Sequence, residues 1–131
     1  MKVNYKELVK EEIEKGIFRI WLVDKRVGAN NFFMRLFEIL PGFKTKEDSH
    51  PYEHGIFILE GKGSVKLGRK SEIVKEGDVL YIPQGNIHSV KNLGENTLKF
   101  LCVVPSYSYL KYKGEKKNGW NKQRVQTGNV I

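Results

Sequence analysis

"EDSHPYEHGIFILEG", residues 47–61, is the stretch on which the fold of this chain turns. Asp48, His50 and His54, three side chains that bind metals, precede an apolar run at two- and four-residue spacing. Alternate side chains of an extended strand share a face, so positions 48, 50, 52 and 54 are expected to point one way. Ile56 and Ile58 continue that parity, and a face that begins with donors runs on into hydrocarbon. An interior metal site reads this way, with donors at one end of a barrel and apolar packing behind them. His88, the third and last histidine, opens a further strand after the turn "PQGN" at 83–86, and its parity partner Val90 is again apolar.

Around these segments the chain is built of short β-branched and aromatic runs. They are "IFRIWLV" 17–23, "NFFMRLFEI" 31–39, "YEHGIFIL" 52–59, "SVKL" 64–67, "SEIV" 71–74, "DVLYIP" 78–83, "IHSVK" 87–91 and "TLKFLCVV" 97–104. Turn signals separate them at "PG" 41–42, "GKG" 61–63, "EGD" 76–78 and "NLGEN" 92–96. Many short strands without intervening helices predict an antiparallel sandwich or barrel. Before them, Tyr5, Leu8, Val9, Glu12 and Ile13 form a weak helical stripe with Gly16 as its stop. The organisation expected is an N-terminal extension over 1–16, a barrel over 17–113 and a polar, basic tail over 114–131. That tail, "GEKKNGWNKQRVQTGN" and beyond, is expected to be poorly ordered or draped over the surface.

Composition bounds the function. With 131 residues, 40% of them hydrophobic and 11% aromatic, the chain fits one domain with a real core. No apolar run approaches the roughly 20 residues a bilayer span needs, so no membrane partner is expected. The charged N-terminus lacks the apolar stretch of a secretion signal, and the single cysteine rules out an internal disulfide; a cytoplasmic protein is the expectation. Net charge is +8, from 23 Lys+Arg against 15 Asp+Glu, with Lys111, Lys113, Lys116, Lys117, Lys122 and Arg124 among residues 106–131. Nothing resembling a helix-turn-helix, zinc finger or aromatic RNA-binding motif accompanies them. The basic tail therefore reads as a solvated face, and nucleic acid is not an expected partner.

Two motifs carry a resemblance. Gly42–Gly61 reads G-x5-D-x-H-x3-H-x6-G, and Gly77–Asn92 reads G-x5-P-x-G-x2-H-x3-N. They resemble the paired motifs of the cupin superfamily, and with their flanks the similarity to small single-domain cupins covers roughly residues 17–105. The second motif is matched at Gly77, Pro83, Gly85, His88 and Asn92. The first departs twice: Asp48 stands at the usual first histidine and His54 at the usual glutamate. The resemblance implies an all-β double-stranded β-helix, or jelly-roll, barrel holding a divalent transition metal. Its implied ligands here are Asp48, His50, His54 and His88, the family's three histidines and one carboxylate in permuted order. Iron or manganese is favoured, with nickel, cobalt, copper or zinc also suited to such donors. Expected partners are a small-molecule substrate or ligand and a second copy of the chain, as a homodimer. A metal-dependent enzyme of the oxygenase type is the first reading, with an isomerase or decarboxylase behind it. A non-catalytic module for a small metabolite or a metal is the alternative.

Several other residues are expected near the site. Glu53, of opposite parity, either supports the ligands from behind or faces solvent. Arg35 and Glu38 have opposite parity in one strand, so one of them faces inward; an inward Arg35 could bind a carboxylate or phosphate. Tyr52 and Phe33 or Phe37 are expected to shape the pocket. In "TLKFLCVV" Lys99 should face water, which turns Cys102 inward, either near the metal or as inert packing. Phe57 and Leu59 should point outward, toward a cover made by the N-terminal strands or by a second chain.

Overall fold

The computed structural model describes residues 1–116. Nine strands occupy these residues: β1 (Lys10–Glu14), β2 (Ile17–Val23), β3 (Phe32–Ile39), β4 (His54–Glu60), β5 (Lys62–Leu67), β6 (Lys70–Lys75), β7 (Val79–Ile82), β8 (His88–Asn92) and β9 (Leu98–Pro105). One helix, α1 (Ser106–Lys116), follows directly. A six-stranded sheet in the order β1-β2-β3-β9-β4-β7 faces a three-stranded sheet in the order β6-β5-β8, with antiparallel pairing throughout. The result is a jelly-roll barrel.

Period-two alternation decides what fills it. Ile17 and Trp21 of β2, Phe33 and Ile39 of β3, Ile56 and Ile58 of β4, and Leu98, Phe100, Cys102 and Val104 of β9 all point into the barrel. Val65, Val74, Ile82 and Val90 meet them from the other strands. Burying each large aliphatic side chain contributes about 1.5–3 kcal/mol. The chain leaves the large sheet for the small one at Gly61, between β4 and β5. Gly61 has φ of 92°, and a Cβ there would lie 3.0 Å from both the Leu98 Cα and the Thr97 oxygen. Only glycine makes that corner without displacing the backbone of β9.

The segment before Ile17 is not the helix its stripe suggests. Lys10–Glu14 is a strand that adds to the edge of β2, pairing Glu11 with Arg19 and Glu12 with Phe18, while only Tyr5–Glu7 makes a 3-10 turn. A single short helix would be marginal in water, whereas the free edge of β2 offers a ladder of hydrogen bonds. Ion pairs reward the strand as well: Arg19 Nη2 lies 2.9 Å from Glu11 and Lys10 Nζ 3.0 Å from Glu38.

That arrangement covers the outer face of the large sheet. Leu8, Ile20 and Leu36 form a second buried cluster there, joined by Tyr5, Leu59 and Leu101. Leu59 does face outward, and the chain's own N-terminal segment packs against it, while Phe57 stays 41% exposed. Arg35 and Glu38 both end up buried: Arg35 points inward, and Glu38 lies on the outer face paired with Lys10.

Helix α1 closes one end of the barrel. Tyr109 is fully buried, edge-on to Trp21, Tyr52 and Phe33 at centroid distances of 5.6, 5.4 and 6.1 Å. Ser106 ties the start of the helix to the Asn30 and Asn31 carbonyls. The helix runs across the boundary expected at residue 113, and from residue 117 on the expected tail lies outside the described residues. No helix among the described residues is long and apolar enough to cross a membrane.

Candidate metal centre

His54 opens β4 and His88 opens β8, while His50 stands in the connection between β3 and β4. That connection is fastened to β8. Asp48 and His88 form an antiparallel bridge, with Asp48 N donating to the His88 carbonyl at 3.0 Å and His88 N donating to the Asp48 carbonyl at 2.9 Å. Two residues on, Gly85 N donates to the His50 carbonyl at 2.8 Å, and Ser49 Oγ donates to the Gly85 carbonyl at 2.9 Å. The "PQGN" turn thus fixes His50 as well as aiming His88.

The three imidazoles converge. Their ring centroids are 4.8–5.0 Å apart, and one candidate ligand atom from each lies within 4.8 Å of the others. Each Nδ1 is occupied: His50 by the Tyr52 carbonyl at 3.0 Å, His88 by the Asn86 carbonyl at 2.9 Å, and His54 by the Cys102 sulfur at 3.0 Å. A carbonyl oxygen only accepts, so His50 and His88 carry their protons on Nδ1 and leave the Nε2 lone pair free. His54 Nε2 is buried without a hydrogen-bond partner. An orphaned nitrogen in such a place is costly unless something binds it.

Electrostatics point the same way. Burial, followed by the neighbouring His88, pushes His50 down to about 4 from an ordinary 6.5. Burial, followed by the Arg35 charge and then the other two imidazoles, pushes His54 down to about 2. Both rings are neutral at physiological pH, the form that ligates metals. The donor set fits a divalent transition metal.

The remaining expected residues separate into those at the cavity and those away from it. A cavity of about 360 Å³ opens over the histidines, and Asp48, Tyr52, Arg35, Phe37 and Cys102 line it with them. Tyr52 is buried and stacks flat on His50, 3.8 Å between centroids and 6° between planes, and burial holds its hydroxyl above the usual phenol range. Cys102 faces inward between Arg35 Nη2 and His54 Nδ1, 3.0 Å from each. Asp48 is exposed at the mouth, where its Oδ1 accepts from Ser49 N at 2.8 Å. Residues 49–53 are irregular, so unbroken strand parity does not run from Asp48 to His54. Glu53 accepts from the Tyr81 hydroxyl at 2.6 Å on the surface, and Phe33 packs in the core against Trp21 and Tyr109.

Two features escaped the sequence reading. Arg19 of β2 lines the cavity, and α1 brings Lys113 to its rim and Tyr112 within 6.2 Å of the His50 ring. Tyr109 and Tyr112, three apart just after Pro105, were the available signal for an inward helical face.

The chain is 34% identical over 71 residues to 1-methylthio-D-xylulose 5-phosphate methylsulfurylase of Rhodospirillum rubrum, covering 54% of this chain and 46% of that one. It is 35% identical over 65 residues to the oxalate-binding protein of Thermotoga maritima, covering 49% and 54%. The chain therefore spans about half the length of these curated relatives. Its fold superposes on the polyketide cyclase RemF from Streptomyces resistomycificus with a TM-score of 0.74 at 30% identity, over 80% of this chain and 78% of that one. Residues 35–104, more than half of the sequence, match the family model described as the cupin domain, and the chain belongs to the cupin family.

Proposed function

We propose that the protein is a metal-dependent enzyme that acts on a small organic molecule inside the barrel, with oxygen-dependent oxidation as its reaction. The observation that carries this reading is the buried trio of imidazoles with the unsatisfied Nε2 of His54 among them. His50, His54 and His88 would hold the ion, and Asp48, which lines the same cavity, is the proposed fourth ligand. Iron or manganese would supply Lewis acidity and redox chemistry there, whereas zinc would supply Lewis acidity alone.

The chain's own residues prepare the site. The Tyr52 and Asn86 carbonyls and the Cys102 sulfur hold the three rings through Nδ1, and Tyr52 fixes the His50 plane by stacking. Ile56, Val90 and Phe100 wall the inner side of the cavity with hydrocarbon, so a ligand enters from the mouth at Asp48 and Lys113. The same reading includes a cytoplasmic homodimer. Phe57, Val79, Tyr81 and Val103, between 39% and 74% exposed, sit on neighbouring strands of the outer face, Phe57 opposite Val79.

One observation favours a second reading, a binding module without turnover. Among the described residues the cavity lining holds no buried carboxylate to move protons; its buried protic groups are the imidazoles committed to the ion, the Tyr52 hydroxyl and the Cys102 thiol. The relative named as an oxalate-binding protein is consistent with it. Elemental analysis of protein purified without chelator, followed by an oxygen-uptake screen of the iron- and manganese-loaded forms, separates the two. The enzyme reading expects one ion per chain and uptake that His54→Ala abolishes. Added nitric oxide or azide should also perturb the metal spectrum; if neither does, no coordination position is open and the binding reading takes its place.

A further inference from the structure

One buried charge in the cavity lacks a counter-charge. Arg35 projects from β3 into the barrel and is 7% exposed. Its guanidinium lies over the rings of Phe37, Tyr109 and Trp21, at 5.0, 5.4 and 5.6 Å. Nη2 donates to the Cys102 sulfur, while Nε has no hydrogen-bond partner. No carboxylate among the described residues pairs with it, whereas Arg19 on the same wall is paired with Glu11. Aromatic faces offset part of the cost of burying a cation, yet a planar fork with an unused N–H is built for an anion.

The rest of the cavity sharpens this demand. Imidazole ligands bring no charge of their own, so an ion held by the trio keeps most of its charge, and Arg35 adds one more. None of the lining carboxylates Glu14, Glu47 and Asp48 is buried, and Glu47 is committed to Lys66 at 2.6 Å. An anionic ligand would satisfy both positive centres.

We propose that Arg35 anchors a carboxylate subsite, and that the cavity takes a small organic acid with its carboxylate on Arg35 and its remaining oxygens toward the histidines. This rests on the reading of the cavity as the ligand site. A carboxylate is favoured over a phosphate because the Arg35 fork can meet both of its oxygens, while the further oxygens of a phosphate would face the Phe37, Tyr109 and Trp21 rings without donors. The volume of about 360 Å³ suits a molecule of this size.

The test compares pyruvate, glycolate and malonate with pyruvamide, glycolamide and malonamide, and with inorganic phosphate. Binding is followed by ligand-observed NMR on the metal-free and zinc-loaded full chain, and zinc content is measured on the same samples. The acids should bind about tenfold or more tightly than their amides, and Arg35→Gln should remove that preference without changing zinc content. Arg35→Lys should retain part of it, and with the acid–amide comparison on the unaltered chain it decides the matter if Arg35→Gln does not fold. Equal binding of acids and amides, undiminished acid binding by Arg35→Gln, or phosphate binding more tightly than the acids would overturn the proposal. Zinc uptake reports separately on the metal centre: acids bound through Arg35 by a chain that takes no zinc would support the subsite and defeat the metal reading.

Discussion

Acidification should unfold the metal-free protein through two histidines. His50 and His54, each 6% exposed, hold folded-state values of about 4 and about 2 against an ordinary 6.5. Below about pH 6.5 the unfolded chain binds protons at these sites that the folded chain refuses, so stability falls as pH falls. Above that pH both states are neutral there, and the two sites contribute no slope. At about pH 5.5 each histidine costs the folded state about 1.4 kcal/mol relative to pH 7.5, or about 3 kcal/mol together. With an unfolding entropy of about 2.1 cal/mol/K per residue, that loss lowers Tm by roughly 10 °C. Most carboxylates remain ionised across this window and add little. The assay is differential scanning calorimetry of chelator-treated protein between about pH 7.5 and about pH 5.5, beside a His50→Gln/His54→Gln variant. The variant should lose most of the slope. A Tm that stays level down to pH 5.5 in the parent protein would refute the burial of neutral imidazoles.

Three further outcomes are expected. His88→Ala should lower metal occupancy as severely as His50→Ala, since the three rings meet at one point; elemental analysis after equal metal exposure checks it, and full occupancy in the His88 variant removes it from the ligand set. Tyr109→Ala empties the seat of α1 and should cost about 3–5 kcal/mol, read as a lowered denaturant midpoint with new protease cleavage within residues 106–116. Light scattering at micromolar concentration should give about twice the 15.2 kDa of one chain; a mass near 15.2 kDa leaves the Phe57 and Val79 face without a second copy.

Strands with hydrophobic alternation were legible in the sequence, and β2 runs from Ile17 to Val23 as its apolar run predicts. The convergence of His50, His54 and His88 was legible for the same reason, because strand starts followed by Ile56 and Val90 place donors at the end of a core. What local pattern could not encode is the second layer. Glu38 is buried because Lys10 arrives from 28 residues away, and Lys10–Glu14 is a strand because β2 has an open edge. Asp48 illustrates the other limit. Parity holds only while a strand lasts, and residues 49–53 are irregular, leaving Asp48 exposed at the mouth while His50 goes inside. α1 was hidden by composition, since its lysines mask a segment held by the buried Ser106 and Tyr109, with Leu110 and Tyr112 packed beside them.

Much rests on whether His50, His54 and His88 together hold a metal ion, as proposed. An anomalous-difference map from crystals of protein purified without chelator tests it most directly. One peak is expected, bonded to Nε2 of all three histidines at about 2.0–2.2 Å. A peak elsewhere on the chain, or one bonded to fewer than three of these imidazoles, would contradict it.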